Sequence, residues 1–536
     1  MPLSSLVAER RALERILSAP EMALVVPQLP PETLHRVIQA CGLEDCGDLV
    51  ALVTPEQLTH LLDLDLWRAE RPGLNEELDA ARFGRWLEVL VDAGPAQAAR
   101  QLAELDVDLV IAGLTQHVLV SDRAAIAEYE TTDGDRIPGA HSKDVLTADV
   151  GGYVIIARRA DAWDAIVEVL RSLEAEQREY FLQIMRGTRA LSNSRPETDG
   201  LDDLLTHADQ AMFDVSIDRE RRRERQGYVA AGDARAFLQI SRQFRVEAGA
   251  ASLADPVARA YFRALRDVRD AEGVGSGAKE LAARGAAPAG DVAAQSIAAV
   301  IDVLREAGIV EPPPRALLAG SQTQPRRLGS IQAQMEFLFA RDPVAYAART
   351  EEIAFLANTI MAGCSIQERS LTAEEASTAA VATCNLGLET LAPGIGFLVE
   401  HDLIGVFQAG WTVLHDDVAM YAAERLADIL KDVRCPDREI QTGLSALRRE
   451  LVRHLRAGMP WRARDAMDVL ASLDMPAWVA LLGLIGECPV VHAAVAASQD
   501  SSERAVSASA FEFISEQVQI VAVQAFMQSL RENLRG

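Results

Sequence analysis

The densest gathering of ligand-type side chains in this sequence is His401-Asp402, followed by His415-Asp416-Asp417. Imidazole and carboxylate together suit a hard cation or a transition metal. Residues fourteen apart on one continuous helix lie on nearly the same face, so the two groups would meet if helix ran unbroken between them. A second reading needs no ligand. Leu403 and Gly405 follow at once, so His401 and Asp402 open a helix, where a carboxylate accepts exposed backbone N–H groups and complements the helix dipole. Capping is the preferred reading, and a metal site at His401, Asp402, His415, Asp416 and Asp417 is the alternative.

Other chemistry is sparser. Cys364 and Cys384 stand among small residues, Ala362-Gly363-Cys364-Ser365 and Ala382-Thr383-Cys384-Asn385-Leu386-Gly387. Small neighbours allow helices to approach, and a free thiol packs there as a small apolar group; a nucleophilic thiolate would need a base or a positive field that sequence does not locate. Gly273-Val274-Gly275-Ser276-Gly277-Ala278-Lys279 has glycines and a lysine, but Lys279 does not directly follow the last glycine and no apolar strand precedes the loop. That is a linker pattern, not a phosphate loop. Arg219 to Arg225 is punctuated by Glu220 and Glu224 and has no interleaved aromatics, which reads as a solvated helix face. Asp63, Asp65 and Trp67 alternate with apolar Leu64 and Leu66, and read either as a partner-binding edge or as a turn whose acids face water while Trp67 anchors the next unit. No catalytic constellation or cofactor motif emerges, and no cofactor is expected.

Composition narrows the classes. The 536 residues carry 53 Lys+Arg against 79 Asp+Glu, a formal charge of −26. Such a field repels nucleic acid and anionic lipid at long range and favours a basic protein partner. Six cysteines without CxxC spacing fit reduced thiols in a cytoplasmic protein. Met1 to Leu6 runs into Glu9-Arg10-Arg11 without a signal-peptide core. The apolar run Pro476 to Gly486 is too short to span a bilayer and reads as a buried helix.

The elements that must position these groups are mainly α. Pro31-Glu32-Thr33-Leu34 recurs as Pro55-Glu56-Gln57-Leu58, 24 residues on, and self-similarity at such a period predicts an N-terminal α-superhelical repeat over 1–120. Thr54 with Pro55 and Gln57 predicts a capping box. Leu34, Val37 and Ile38, and then Leu58, Leu61 and Leu62, each form an apolar stripe. Helices are expected around Phe83, Trp86, Leu87 and Leu90 and around Leu102 and Leu105. A small β insertion followed by helices is expected over 121–272: His117–Val120 and Tyr153–Ile156 pair across the polar stretch Thr131 to Ser142, and Asp161 caps a helix carrying Trp163, Ile166, Val167, Leu170 and Leu173. Residues 273–330, with Pro312-Pro313-Pro314 and Gly320 to Pro325, read as a flexible connection. A C-terminal helical bundle over 331–536 follows, with a capping box at Thr372 and Glu375 and a long helical run from Leu403 to Lys431. Met459-Pro460-Trp461 and Met475-Pro476-Ala477-Trp478 read as helix starts.

The Pro-Glu-x-Leu units, Leu64-Asp65-Leu66-Trp67, the run Arg221 to Tyr228, Leu356-Ala357-Asn358 and Ala362-Gly363-Cys364-Ser365 together resemble a family of uncharacterised bacterial proteins, a domain of unknown function, over most of the chain. The resemblance implies no activity. Residues 20–110 are also similar to the cytosolic superhelical domain of magnesium-transporter channels, through Leu-Pro-Pro-Glu and Pro-Glu-x-Leu elements. That likeness implies a superhelical scaffold; the transporters' nucleotide-sensor-like domains and membrane helices are not evident. The expectation is a scaffold or adaptor that recognises another, basic protein through its N-terminal half. The alternatives are a metal- or ligand-binding sensor or enzyme sited in the C-terminal helices, and a magnesium-responsive regulatory domain. Oligomeric state is not legible in the sequence.

Overall fold

The computed structural model describes residues 22–70, 73–122, 146–192, 207–244, 255–274, 328–366, 369–432, 438–457, 483–492 and 511–533. The chain is mainly α-helical, as expected, and divides into two compact units: Met1–Arg68, Glu76–Arg222 and Ser276–Pro312 form unit 1, and Ala69–Asn75, Arg223–Gly275 and Pro313–Gly536 form unit 2.

In unit 1 both Pro-Glu copies are eleven-residue helices, α1 (Pro31–Cys41) and α2 (Pro55–Asp65), and they pack against each other. Proline opens each helix where its missing N–H is not needed. Thr54 Oγ1 accepts the Gln57 N–H at 3.2 Å while Gln57 Oε1 accepts the Thr54 N–H at 2.9 Å, so the capping box forms. Gln57 also donates through Nε2 to the Val26 and Leu29 carbonyls at 2.9 and 2.8 Å, tying α2 to the turn before α1. Leu34, Val37, Ile38, Leu58, Leu61 and Leu62 are all buried, each worth about 1.5–3 kcal/mol on full burial.

A two-residue ladder, β1 (Trp67–Arg68) with β2 (Glu77–Leu78), leads into α3 (Ala80–Ala93), α4 (Pro95–Ala103) and α5 (Val107–His117). Phe83, Trp86, Leu87, Leu90 and Leu102 are buried at the expected spacing. Strands β3 (Val118–Asp122), β4 (Thr147–Val150) and β5 (Tyr153–Ala157) form an antiparallel sheet in the order β3-β5-β4. The anticipated pairing is present, with Leu119 opposite Ile156 and Val120 opposite Ile155. The third strand joins through Gly151 and Gly152, both at positive φ; Thr-Ala-Asp-Val has too little apolar character to announce it. Then come α6 (Trp163–Glu176), α7 (Arg178–Ser192) and α8 (His207–Arg225). Asp161 does not cap α6. The cap position is Ala162, at φ 58°, and the Asp161 carboxylate is held instead by Arg159 at 2.9 Å.

Unit 2 contains α9 (Ala231–Ser241), α10 (Pro256–Val274), α11 (Gly329–Arg341), α12 (Pro343–Gly363), α13 (Ala373–Leu391), α14 (Phe397–Glu400) and α15 (Leu403–Val413). A π-helical segment, Leu414–Met420, carries α15 into α16 (Tyr421–Asp432); α17 (Arg438–Ala457), the ladder of β6 (Val490–His492) with β7 (Phe511–Phe513), and α18 (Gln517–Asn533) follow. The long run from Leu403 is thus helical but contains a π turn. Thr372 and Glu375 form their capping box. The core is aromatic, with the Phe237 ring 5.5 Å from Phe355 and 5.9 Å from Phe407. α13 and α15 cross at backbone contact: a Cβ on Gly387 would lie 2.0 Å from the Val406 carbonyl oxygen, and one on Gly410 would lie 2.0 Å from that of Thr383.

Gly273 and Val274 end α10. The rest of that glycine cluster through Lys279, the stretches Thr131 to Ser142 and Pro312 to Pro325, and the Met459 and Met475 motifs lie outside the described residues. Of the run Pro476 to Gly486, residues 476–482 lie outside them, and Leu484 and Ile485 are buried. Among the described residues no helix is long and apolar enough to cross a membrane.

Candidate functional site

In unit 1 the last turn of α2 and the start of β1 place Asp63, Asp65 and Trp67 in a buried ionic network. Asp63 is 1% exposed. It accepts two hydrogen bonds from Arg222, from Nε at 2.8 Å and Nη2 at 2.7 Å, and its carbonyl oxygen accepts Arg219 Nε at 2.8 Å. Arg219 also pairs with Glu76 at 2.6 Å and lies 4.8 Å from the centre of the Trp67 ring. Asp65 faces His35 Nε2 at 3.2 Å, Arg82 Nε at 2.6 Å and Trp86 Nε1 at 2.7 Å. Burial opposes ionisation of Asp65, but these three hydrogen bonds and the Arg82 charge outweigh it and hold the carboxyl well below the usual carboxylate range.

The two acids therefore neither face water nor stand at an exposed edge. Both are matched by cations from α3 and α8. The solvated-face reading of Arg219 to Arg225 is corrected with them. Val215, Arg219 and Arg222 share one side of α8; Val215 and Arg219 are buried and Arg222 is partly so, while Arg221 points outward and pairs with Asp218 at 3.0 Å. The arginine spacing of three was a sequence signal for a common face, but its acidic partners, Glu76 and Asp63, lie far away along the chain. Chemically this network is a clamp between helices, with its carboxylates fully engaged.

In unit 2 Asp402 caps α15, accepting the Gly405 N–H at 3.0 Å. His401 precedes that helix and stacks on the Phe397 ring at 4.0 Å, with Nδ1 3.1 Å from the Phe397 carbonyl oxygen. Because α15 begins at Leu403 and a π turn starts at Leu414, the fourteen-residue spacing does not align His401 with His415 on one regular helix. Asp416 and Asp417 are exposed on the π turn, whereas His415 is partly buried. Among the described residues no group of three or more His, Cys, Asp or Glu side chains stands close enough to share a metal ion. Cys384 is fully buried within α13, and burial pushes its thiol up.

His415 and Cys364 stand in electrostatic surroundings that the sequence did not indicate. Cys364 ends α12, Arg242 follows α9 directly, and Glu487 and Cys488 arrive from the segment before β6. Thr412 Oγ1 donates to the Ser241 carbonyl at 2.7 Å and so fixes α15 beside the end of α9. Glu487 accepts both the Ser365 N–H, at 2.8 Å, and its hydroxyl, at 3.0 Å. Burial pushes the Cys364 thiol well up, with Cys488 and Glu487 adding to the effect, and raises Cys488 to about 12, so both are neutral thiols. Burial lowers the pKa of Arg242. It also lowers His415, to about 4, with the Arg242 charge contributing, so this imidazole is neutral near pH 7. π turns recur at functional sites; the one after Val413 carries His415, which is partly buried.

No curated protein and no solved structure matches the chain, so the likeness to the magnesium-transporter domain gains no support. The resemblance expected over most of the chain is supported over residues 3–199, which match the model of a family of unknown function (DUF6178).

Proposed function

We propose that the chain is a protein-interaction scaffold or adaptor whose docking surface lies on unit 2. The observation that carries this reading is a set of large apolar side chains left in solvent on three neighbouring elements. Phe339 near the end of α11, Val344 in the first turn of α12, and Ile395 and Val399 at α14 are 67%, 80%, 68% and 40% exposed. Phe339 meets the Tyr346 ring edge-on at 5.3 Å. Exposed apolar groups gathered in this way mark partner surfaces in soluble proteins. In unit 1, by comparison, the exposed large apolar residues among those described are the isolated Leu146 and Phe213. The occupant is a basic protein segment with apolar anchors. Its charge complements the net −26 and the exposed Glu336 and Glu400 that flank the patch, chiefly by speeding encounter.

The test compares wild type with Phe339→Ser/Val344→Ser in capture from lysate of the source cells, with light scattering to report self-association. Both side chains are exposed, so the variant keeps its fold and melting temperature. Loss of a basic partner from the variant supports the reading. Recovery of the same proteins by both, or burial of the patch in a homo-oligomer that the variant disrupts, overturns it.

A further inference from the structure

We infer that the exposed face of α17 (Arg438–Ala457) is a docking surface for an acidic protein segment, one rich in Asp and Glu. The inference does not depend on the apolar patch of α11, α12 and α14 having a partner. It starts from charge that runs against the trend of the chain. The twenty residues of α17 hold five arginines and two glutamates, a positive surplus on a chain of net charge −26. Arg438, Arg448, Arg449 and Arg453 are exposed, and among the described residues none of the four pairs with a carboxylate. Elsewhere in unit 2 an exposed arginine can find an acid close by, as Arg369 does with Glu375 at 2.6 Å.

The buried side of the helix fixes which residues look outward. Leu444, Leu447 and Leu451 are buried, and α17 packs against α16 and the π turn. At about 100° per residue, Arg438, Arg449 and Arg453 fall on the side away from these leucines, with Arg448 at its margin. Thr442 and Ser445 complete that side, and their hydroxyls turn back onto the Arg438 and Gln441 carbonyls at 2.8 and 2.9 Å. The arginines are therefore the groups that reach outward. Arg449 and Arg453 stand one turn apart, and the rise from Arg438 to Arg453 is about 22 Å, the length of about seven extended residues. Each guanidinium offers a carboxylate a planar fork of donors. The helix dipole does not account for the set, because its attraction for cations is confined to the last turn and Arg438 stands at the opposite end.

Two other anionic partners fit less well. With its leucines buried, α17 has no free apolar face to lay into a bilayer. No aromatic side chain interleaves the arginines to stack on bases. A bilayer or a duplex also spreads phosphates over an area far wider than one helix face and so meets the acidic remainder of the chain, which a short protein segment avoids.

The test measures, by fluorescence anisotropy, the binding of a labelled peptide of alternating Glu and Asp to the full-length protein. Wild type is compared with Arg449→Glu/Arg453→Glu and with Arg263→Glu/Arg266→Glu on α10, where both side chains are also exposed and the net charge changes equally. Reversal on α17 should weaken binding by about tenfold or more, and reversal on α10 should leave it within about twofold. Added salt should weaken wild-type binding, because the surface is exposed. No binding by wild type at low salt, equal binding by all three proteins, or equal loss in both variants overturns the inference. Duplex DNA and phosphatidylserine vesicles are titrated in parallel, and a preference for either that depends on Arg449 and Arg453 overturns the choice of a protein segment. If the α17 reversal lowers the Tm, Arg449→Gln/Arg453→Gln gives the same comparison without adding acids.

Discussion

Removing the Asp65 carboxylate tests whether the ionic network of unit 1 holds its helices together. Asp65 and Arg82 form an ion pair at 2.6 Å with side-chain exposures of 8% and 12%, and Trp86 Nε1 donates to the same oxygen at 2.7 Å. In Asp65→Ala a buried guanidinium, an indole N–H and the His35 ring all lose their acceptor. Breaking one partner of a buried pair costs about 3–5 kcal/mol, and hydrogen bonds to a charged group are worth about 1.5–3 kcal/mol each. Some water can reach the site beside His35, whose side chain is 13% exposed, which points to a cost of about 3 kcal/mol. Removing both partners in Asp65→Ala/Arg82→Ala should cost less than the sum of the single changes, by at least about 1.5 kcal/mol.

The pH dependence follows from the depressed carboxyl pKa. Its stabilisation is present above the unfolded carboxylate value and is lost as pH falls through that value toward the lower folded one. The gap between wild type and Asp65→Ala should therefore narrow in acid. Hydrogen exchange of peptides from α1, α2 and α3 in a urea series measures the local free energy without assuming that the two units unfold together. A cost under about 1 kcal/mol, within the range of exposed pairs, or a gap that does not narrow in acid, would refute the reasoning.

Two further changes probe unit 2. Gly387→Ala puts a methyl group 2.0 Å from the Val406 carbonyl oxygen, where α15 must move; the expected loss exceeds about 3 kcal/mol, and a calorimetric Tm within a degree or two of wild type would contradict the backbone contact. His415, lowered to about 4 from 6.5, gives the opposite titration to an ordinary surface histidine. The unfolded chain takes up a proton near 6.5 and the folded one does not, so stability is full above that pH and declines toward 4, by at most about 3 kcal/mol. His415→Gln should flatten this slope in chemical denaturation at stepped pH, and an unchanged slope would place the effect elsewhere.

The sequence alone determined what depends on neighbours along the chain. Thr54 with Gln57 and Thr372 with Glu375 fixed two helix starts, because a capping box is complete within four residues. The leucine stripes of α1 and α2 named their buried faces, because helical period is a local property. Asp402 was legible as a cap for the same reason. Only the tertiary structure decided the partners of charged groups. Asp63 and Asp65 left water because α3 and α8 bring arginines to them. The Arg242 charge that helps lower His415 comes from more than 170 residues away, and His415 itself stands on a π turn, which shifts side chains off the regular helical period. Electrostatics acts through distance in space and through burial, and one sequence read in order contains neither.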